Sequence, residues 1–355
     1  MPSSYDALLI VSFGGPDKPD DVLPFLENVL RSRNVPRERM LEVAEHYYQF
    51  GGRSPINDQN RALIAALEKE LAQHGPHLPV YWGNRNWHPL LADTLRQMAA
   101  DGVSRALAFV TSAYSSYSSC RQYRENIAAA QAEVGPSAPQ IDKLRAFFNH
   151  PGFIEPMIEN MRAALERIPA GRRSSTELIF TAHSIPTAMA ANCQYEEQLH
   201  EACRLVVEGL LVSLSLGERA GMRAPWSLVY QSRSGPPQQP WLEPDVGDFI
   251  KSRHQQSPLR DIVIVPIGFI SDHMEVVFDL DTEVSELCDR LGINMVRAAT
   301  VGTHPRFIRM IRELIEERMS DSPERLALGR LGASHDVCPD DCCLYIPNRP
   351  GTAGQ

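Results

Sequence analysis

No stretch of this sequence is apolar for long enough to cross a membrane. The longest apolar run, Ile262 to Ile270, is broken by Pro266 and Gly268 and falls far short of the roughly 20 residues a spanning helix needs. A membrane span is excluded, and peripheral membrane contact stays open. The opening residues, Met1-Pro2-Ser3-Ser4-Tyr5-Asp6, hold no basic cluster, and Ala7 to Val11 is too short for the core of a secretory leader. Positive charge is scarce: 35 Lys and Arg stand against 44 Asp and Glu, a net charge of -9. That argues against nucleic acid as a partner, because phosphate contacts need a basic surface. Paired cysteines are missing too. The seven Cys form no C-x-x-C pair, and three of them, Cys338, Cys342 and Cys343, crowd together near the C-terminus. A disulfide framework does not fit this pattern; a reducing cytoplasm and a thiolate metal site do.

What is present reads as α/β. With 355 residues, 43% of them hydrophobic, the chain can form two domains or one large α/β unit. Apolar runs predict strands at Ala7 to Phe13, Val80 to Asn84, Ala106 to Thr111, Leu178 to Ala182, Ser227 to Gln231 and Ile262 to Phe269. Helical patterns fall at Asp20 to Leu30, Met40 to Phe50, Asn57 to His74 and Gln122 to Glu133. This alternation predicts parallel sheets flanked by helices. The run into Phe13-Gly14-Gly15-Pro16 is echoed by the run into His183-Ser184-Ile185-Pro186, so two similarly wound halves are expected, 1–150 and 151–330, with 331–355 as an extension. Oligomeric state is not fixed by the sequence. Ligands of such sheets bind beyond the carboxyl ends of the strands, which points to one cleft lined by Phe13, Ser112, His183, Gln231 and Ile270.

Two groups at that cleft carry chemistry. Glu275, Asp279 and Glu283 recur every fourth residue and share one stripe of a helix. The common origin of such a stripe is a solvated face. However, like charges at this spacing repel by about 0.2–0.5 kcal/mol per pair, and no Lys or Arg offsets them before Arg290. A row of hard oxygen ligands there can pass a divalent cation inward. His183, at a strand end among small residues, is a metal ligand or proton acceptor near neutral pH; the commoner alternative is a loop histidine bonded to backbone. In the tail, three thiols need a fourth, and Cys120 is the candidate. Zinc and an iron–sulfur cluster both accept four thiolates, and the missing C-x-x-C pairs favour the cluster. Aromatics near the strand ends, Phe13, Trp82, Trp87, Tyr114, Tyr117 and Tyr123, suit either a core or a large flat ligand. Arg31, Arg33 and Arg53 can meet acidic substituents on such a ligand.

Taken in order, Ser12-Phe13-Gly14-Gly15-Pro16, Phe50-Gly51-Gly52-Arg53-Ser54-Pro55-Ile56, Thr181-Ala182-His183-Ser184-Ile185-Pro186, Gln231-Ser232-Arg233-Ser234-Gly235-Pro236 and Ile267-Gly268-Phe269-Ile270-Ser271-Asp272-His273-Met274-Glu275 resemble the ferrochelatase family. The likeness runs over about residues 5 to 320 and is nearest to actinobacterial members. It implies two Rossmann-like, chelatase-type halves around a porphyrin cleft and insertion of Fe²⁺, the substrate metal, into a porphyrin to make haem. The actinobacterial likeness favours coproporphyrin III over protoporphyrin IX. By the same resemblance His183 and Glu275 are the catalytic and metal-handling pair, and Asp279 and Glu283 lead metal to them. Phe13, Arg31, His46, Tyr47, Ser54 and Tyr123 line the porphyrin. Several relatives carry Tyr where Phe13 stands, so an axial phenolate must come from elsewhere, and Tyr123 is the choice. Cys120, Cys338, Cys342 and Cys343 match a [2Fe–2S] ligand set. In this reading a neutral His183 takes a pyrrole proton or guides the iron while Glu275 draws the cation. The competing readings are a cobalt or nickel tetrapyrrole chelatase and a non-enzymatic haem or porphyrin carrier, which would need no acidic cation path.

Overall fold

The computed structural model describes residues 4–31, 35–213, 226–235 and 238–345. Among the described residues the six expected strands are joined by two more, giving eight parallel strands in two sheets of four. The first sheet holds β1 (Ala7–Ser12), β2 (Val80–Asn84), β3 (Arg105–Val110) and β4 (Gln140–Lys143), in the order β2-β1-β3-β4. The second holds β5 (Glu177–His183), β6 (Trp226–Gln231), β7 (Asp261–Val265) and β8 (Asn294–Arg297), in the order β6-β5-β7-β8. Counted within each half, the two orders are the same. This is the duplicated Rossmann-like chelatase architecture.

Successive strand residues point to opposite sheet faces, and here both faces are covered. In β1, Leu8 and Ile10 enter one core, and Ala7, Leu9 and Val11 enter another. In β7, Val263 and Val265 face one core, and Ile262 and Ile264 face the other. Burial on both sides is why these strands read as unbroken apolar runs rather than alternating ones. The largest core passes through both sheets and joins Ile10 and Phe109 to Phe180 and Val265 through Phe147, Phe153 and Phe307. A separate small cluster of Val22, Phe25, Leu26, Met40 and Ala44 holds the helices Val22–Val29 and Arg37–Gln49 together as a cap. The expected strand Ile262 to Phe269 stops at Val265, because Pro266 cannot donate to a ladder. Among the described residues no helix is long and apolar enough to cross a membrane.

One buried ion pair ties the C-terminal helix Pro305–Met319 to the segment after β4. Arg145 and Glu317 are 1% and 5% exposed, and their side chains meet through two bonds of 2.7 and 2.9 Å. Arg145 also donates to the Leu326 carbonyl at 2.9 Å. Removing one charge of a buried pair strands the other, at a cost of about 3–5 kcal/mol. Glu317→Gln should therefore destabilise the fold by about 3 kcal/mol in urea denaturation, and Arg145→Met with Glu317→Leu should recover most of that loss. A single variant within about 1 kcal/mol of the parent would mean that Arg145 finds other partners.

Candidate active site

The site is built where the strands end. Gly14 turns the chain out of β1 at φ +81°, a conformation that favours glycine. Gly268, after β7, lies so close to β5 that a Cβ there would stand 2.7 Å from the Ala182 backbone, while its amide donates to the Thr181 carbonyl at 3.0 Å. This close approach brings the segment after β7 beside His183. His273 caps the short turn Met274–Val276, its Nδ1 accepting from the Glu275 amide at 3.2 Å. The next eight residues, Val277–Val284, form a π-helix, and Ser285–Leu291 returns to α. Glu275 lies on the short turn, and Asp279 and Glu283 lie on the π-helix that follows it. Leu280, Val284 and Leu287 are buried on the opposite side.

His183 Nδ1 lies 2.5 Å from the Ser184 carbonyl. A carbonyl only accepts, so Nδ1 carries the hydrogen. That leaves Nε2 facing Glu275 Oε1 at 3.5 Å. The pair sits deep among protein atoms yet stays open to solvent, with side chains 30% and 47% exposed, as the wall of a cleft would be. Burial would raise the Glu275 carboxyl, but the charge and hydrogen bond of His183 outweigh it and hold the group at about 2. Burial would lower His183, but Glu275, the Ser184 carbonyl and Asp279 together raise it above 6.5. The resting His183 therefore keeps a proton to higher pH than the neutral imidazole read from the sequence. Asp279 is pushed up to about 7 by burial and by the charges of Glu275 and Glu283, against the hydrogen bond donated by the Ser232 hydroxyl. The wall thus holds an anion, an imidazole whose hold on a proton that anion strengthens, and a carboxyl that exchanges its proton near neutrality. Glu283, at the outer end, is raised by burial and then by Asp245 and Glu286.

A model of the ferrochelatase family matches residues 5–319. This chain belongs to the ferrochelatase family. The ferrochelatase of Rhodopirellula baltica is 59% identical over 99% of this chain and 96% of its own length. The coproporphyrin III ferrochelatase of Streptomyces coelicolor is 52% identical, again over 99% and 96%. The solved structure of SirB from Bacillus subtilis with Fe³⁺ superimposes with a TM-score of 0.53 over 90% of this chain and 97% of that one, at 10% identity, a likeness of fold alone.

The cap meets the π-helix at His46, which stacks on Phe278, ring centroids 3.8 Å apart and 11° from parallel. Phe13 is 36% exposed, and Tyr47 packs edge-on to Phe25. Arg31 is exposed at the end of the first cap helix, and Arg33 lies outside the described residues, as does Pro236. Ser54 is buried in the turn after Gly52. Tyr123 is 5% exposed, beneath the Arg85 guanidinium, which also stands 5.6 Å from the Phe13 ring. A phenol buried in this way is poorly placed as an axial ligand, and Arg85 covers the position the sequence reading gave it. Tyr114 is core: it is 1% exposed and its hydroxyl donates to the Ile267 carbonyl.

Gln231, expected at the cleft, donates to the Glu275 carbonyl at 2.8 Å and to Asp279 at 3.4 Å. Two further supporting groups, Ser232 and Arg297, were not singled out from the sequence. Ser232, which bonds Asp279, has φ +60°, a conformation costly for serine. Arg297 of β8 grips both Asp272, before the π-helix, and Asp281, within it, with two nitrogens each at 2.6–3.2 Å. Arg297→Met should release the π-helix and lower kcat/KM for Fe²⁺ by about 10- to 100-fold, with Arg297→Lys intermediate. Initial rates across Fe²⁺ concentrations test this, and an unchanged KM for iron would remove Arg297 from the account.

The tail cysteines converge. Cys120 lies on a π turn, Tyr117–Arg121, beside Cys338. Cys342 Sγ lies 3.7 Å from Cys343 Sγ. Cys338 lowers the Cys120 thiol against burial, and Lys143 and Arg124 lower it further. Arg121 donates to the Asp340 and Cys342 carbonyls and Arg124 to those of Cys338 and Pro339. Three cations around four thiols fit an anionic thiolate centre. His335, Cys338 and Cys342 form a group able to hold a metal ion.

Proposed function

We propose that this enzyme inserts Fe²⁺ into coproporphyrin III. The observation that carries the reading is the His183 Nε2 facing Glu275 on the cleft wall, with Asp279 next along the stripe. The porphyrin gives up two pyrrole N–H protons as one Fe²⁺ enters, so charge balances and no redox step occurs. Glu283 and Asp279 lead the cation inward, as negative charge on a cleft wall raises local cation concentration. Glu275, ionised throughout the physiological range, holds the metal beside the ring. His183 and Asp279 take up the protons and return them to water. Phe13, His46 and Tyr47 hold the apolar ring face; Ser54 and Tyr123 act from beneath by shaping that wall; Arg31 meets a carboxylate substituent. The four propionates of coproporphyrin III favour a cleft rimmed by arginines. Relatives at 52% and 50% identity are named for that porphyrin. Anaerobic competition between coproporphyrin III and protoporphyrin IX tests the reading: the first should be metallated with the higher kcat/KM. Preference for protoporphyrin IX, or insertion of cobalt or nickel but not iron, would overturn it.

In this account residues 1–150 and 151–330 are the two halves of the enzyme, and 331–355 is an extension that completes a second metal centre. Cys120, Cys338, Cys342 and Cys343 hold a [2Fe–2S] cluster there; when bound it supplies thiolate-ligated iron that ties the tail to the first half. A thiolate cluster of this kind suits a reducing, cytoplasmic setting. The protein should be isolated coloured, with iron and sulfide in equal amounts. Replacing any one of the four cysteines by Ser should bleach it, whereas replacing Cys193, Cys203 or Cys288 should not. A colourless anaerobic preparation with stoichiometric zinc and no sulfide would contradict the cluster.

A further inference from the structure

The tail and Cys120 together offer five donors where a cluster uses four. The fifth is His335, whose Nε2 lies 3.6 Å from Cys342 Sγ. His335 Nε2, Cys338 Sγ and Cys342 Sγ all lie within 4.8 Å of one another. Around one tetrahedral cation with metal–sulfur bonds of about 2.3 Å and metal–nitrogen bonds of about 2.0–2.1 Å, a sulfur and a nitrogen ligand stand about 3.5 Å apart. The His335–Cys342 distance is already close to that edge. The spacing His335-x-x-Cys338-x-x-x-Cys342 is that of a short zinc-binding loop. Arg121 and Arg124 hold the loop through its carbonyls, so the donors are set without a metal. Burial separates the donors further. Cys120 and Cys343 are 7% and 6% exposed, whereas His335 is exposed and Cys338 and Cys342 are half-buried. The outer three are the ones a cation from solvent reaches first.

We propose that the tail, when it carries no cluster, binds one thiophilic divalent cation of the zinc class on His335, Cys338 and Cys342, with water in the fourth position. The two loadings share Cys338 and Cys342 and exclude each other. The proposal rests on the arrangement of the outer donors and stands whether or not the four-cysteine cluster forms.

The test uses the full chain, stripped of iron anaerobically with an oxidant and a chelator, then titrated with Co²⁺. One equivalent should give tetrahedral d–d bands and a thiolate-to-cobalt charge-transfer band, both abolished by Zn²⁺. The charge-transfer band separates this site from any cobalt at His183 and Glu275, which lack sulfur. His335→Ala should weaken Co²⁺ binding at least ten-fold, and Cys338→Ser and Cys342→Ser likewise, while Cys120→Ser and Cys343→Ser leave it unchanged. His335→Ala should keep the colour of the protein as isolated, because His335 is not a cluster ligand. His335 is exposed, so its variant should fold, and circular dichroism checks that it does. Absence of the thiolate band in the stripped parent, unchanged Co²⁺ affinity in His335→Ala, or loss of binding in Cys120→Ser would each overturn the proposal.

Discussion

His183→Ala should lower kcat for iron insertion by about 10²–10⁴-fold, the range for losing a positioned general acid–base group. Its fold should survive. The imidazole bonds the Ser184 carbonyl and pairs with Glu275, while the Tyr195 hydroxyl is received by the His183 backbone, which alanine keeps. The melting midpoint should therefore stay within about 2 °C of the parent. Two losses combine in the variant. The proton site at Nε2 disappears from the wall, and Glu275 loses the partner that does most to hold its carboxyl at about 2. With burial opposed by His273 and no longer by His183, that carboxyl rises, and as pH falls it becomes protonated sooner than in the parent. The residual rate of His183→Ala should thus decline at a higher pH than the parent's acid limb. Near-normal turnover would show that the imidazole is not part of the chemistry.

Much of this site was legible in the sequence because it lies at strand ends. Ala7 to Ser12, Glu177 to His183 and Trp226 to Gln231 are buried on both faces, so their composition marks them, and their last residues mark the cleft. Two strands left no such mark. β4 reads Gln140-Ile141-Asp142-Lys143 and β8 reads Asn294-Met295-Val296-Arg297. Each is an edge strand, with one neighbour and polar residues mixed in, and edges favour charge over apolar continuity. Missing β8 meant missing Arg297, whose partners Asp272 and Asp281 stand 25 and 16 residues away in sequence. The spacing of Glu275, Asp279 and Glu283 was visible, but the π turn was not. Its cause is tertiary: Arg297 and the adjacent pair Gln231 and Ser232 hold its carboxylates from two other segments. Tyr123 shows what a strand-end position leaves open: its side chain packs with Ile127 and Val110, with the Arg85 guanidinium over its ring.

Glu275→Gln should cost about 10²–10³-fold in kcat, the scale for a preorganised electrostatic contact at reacting atoms. The amide keeps the shape of the side chain and removes the charge that draws Fe²⁺ and raises both His183 and Asp279. Without that charge His183 loses its proton more readily and Asp279 ionises at lower pH, so the proton acceptors of the wall shift together. Glu283→Gln removes a charge farther out, beside Asp245 and Glu286, which remain to attract the cation. Its effect should be below about 10-fold, appear in KM for iron, and shrink as ionic strength rises. The decisive measurement is anaerobic iron insertion by the two variants side by side, with kcat and KM for Fe²⁺ determined for each. The account predicts a large fall in kcat for Glu275→Gln and a small, salt-sensitive rise in KM for Glu283→Gln. Equal and minor losses in both would mean that the stripe is a solvated acidic face and that iron reaches the porphyrin by another route.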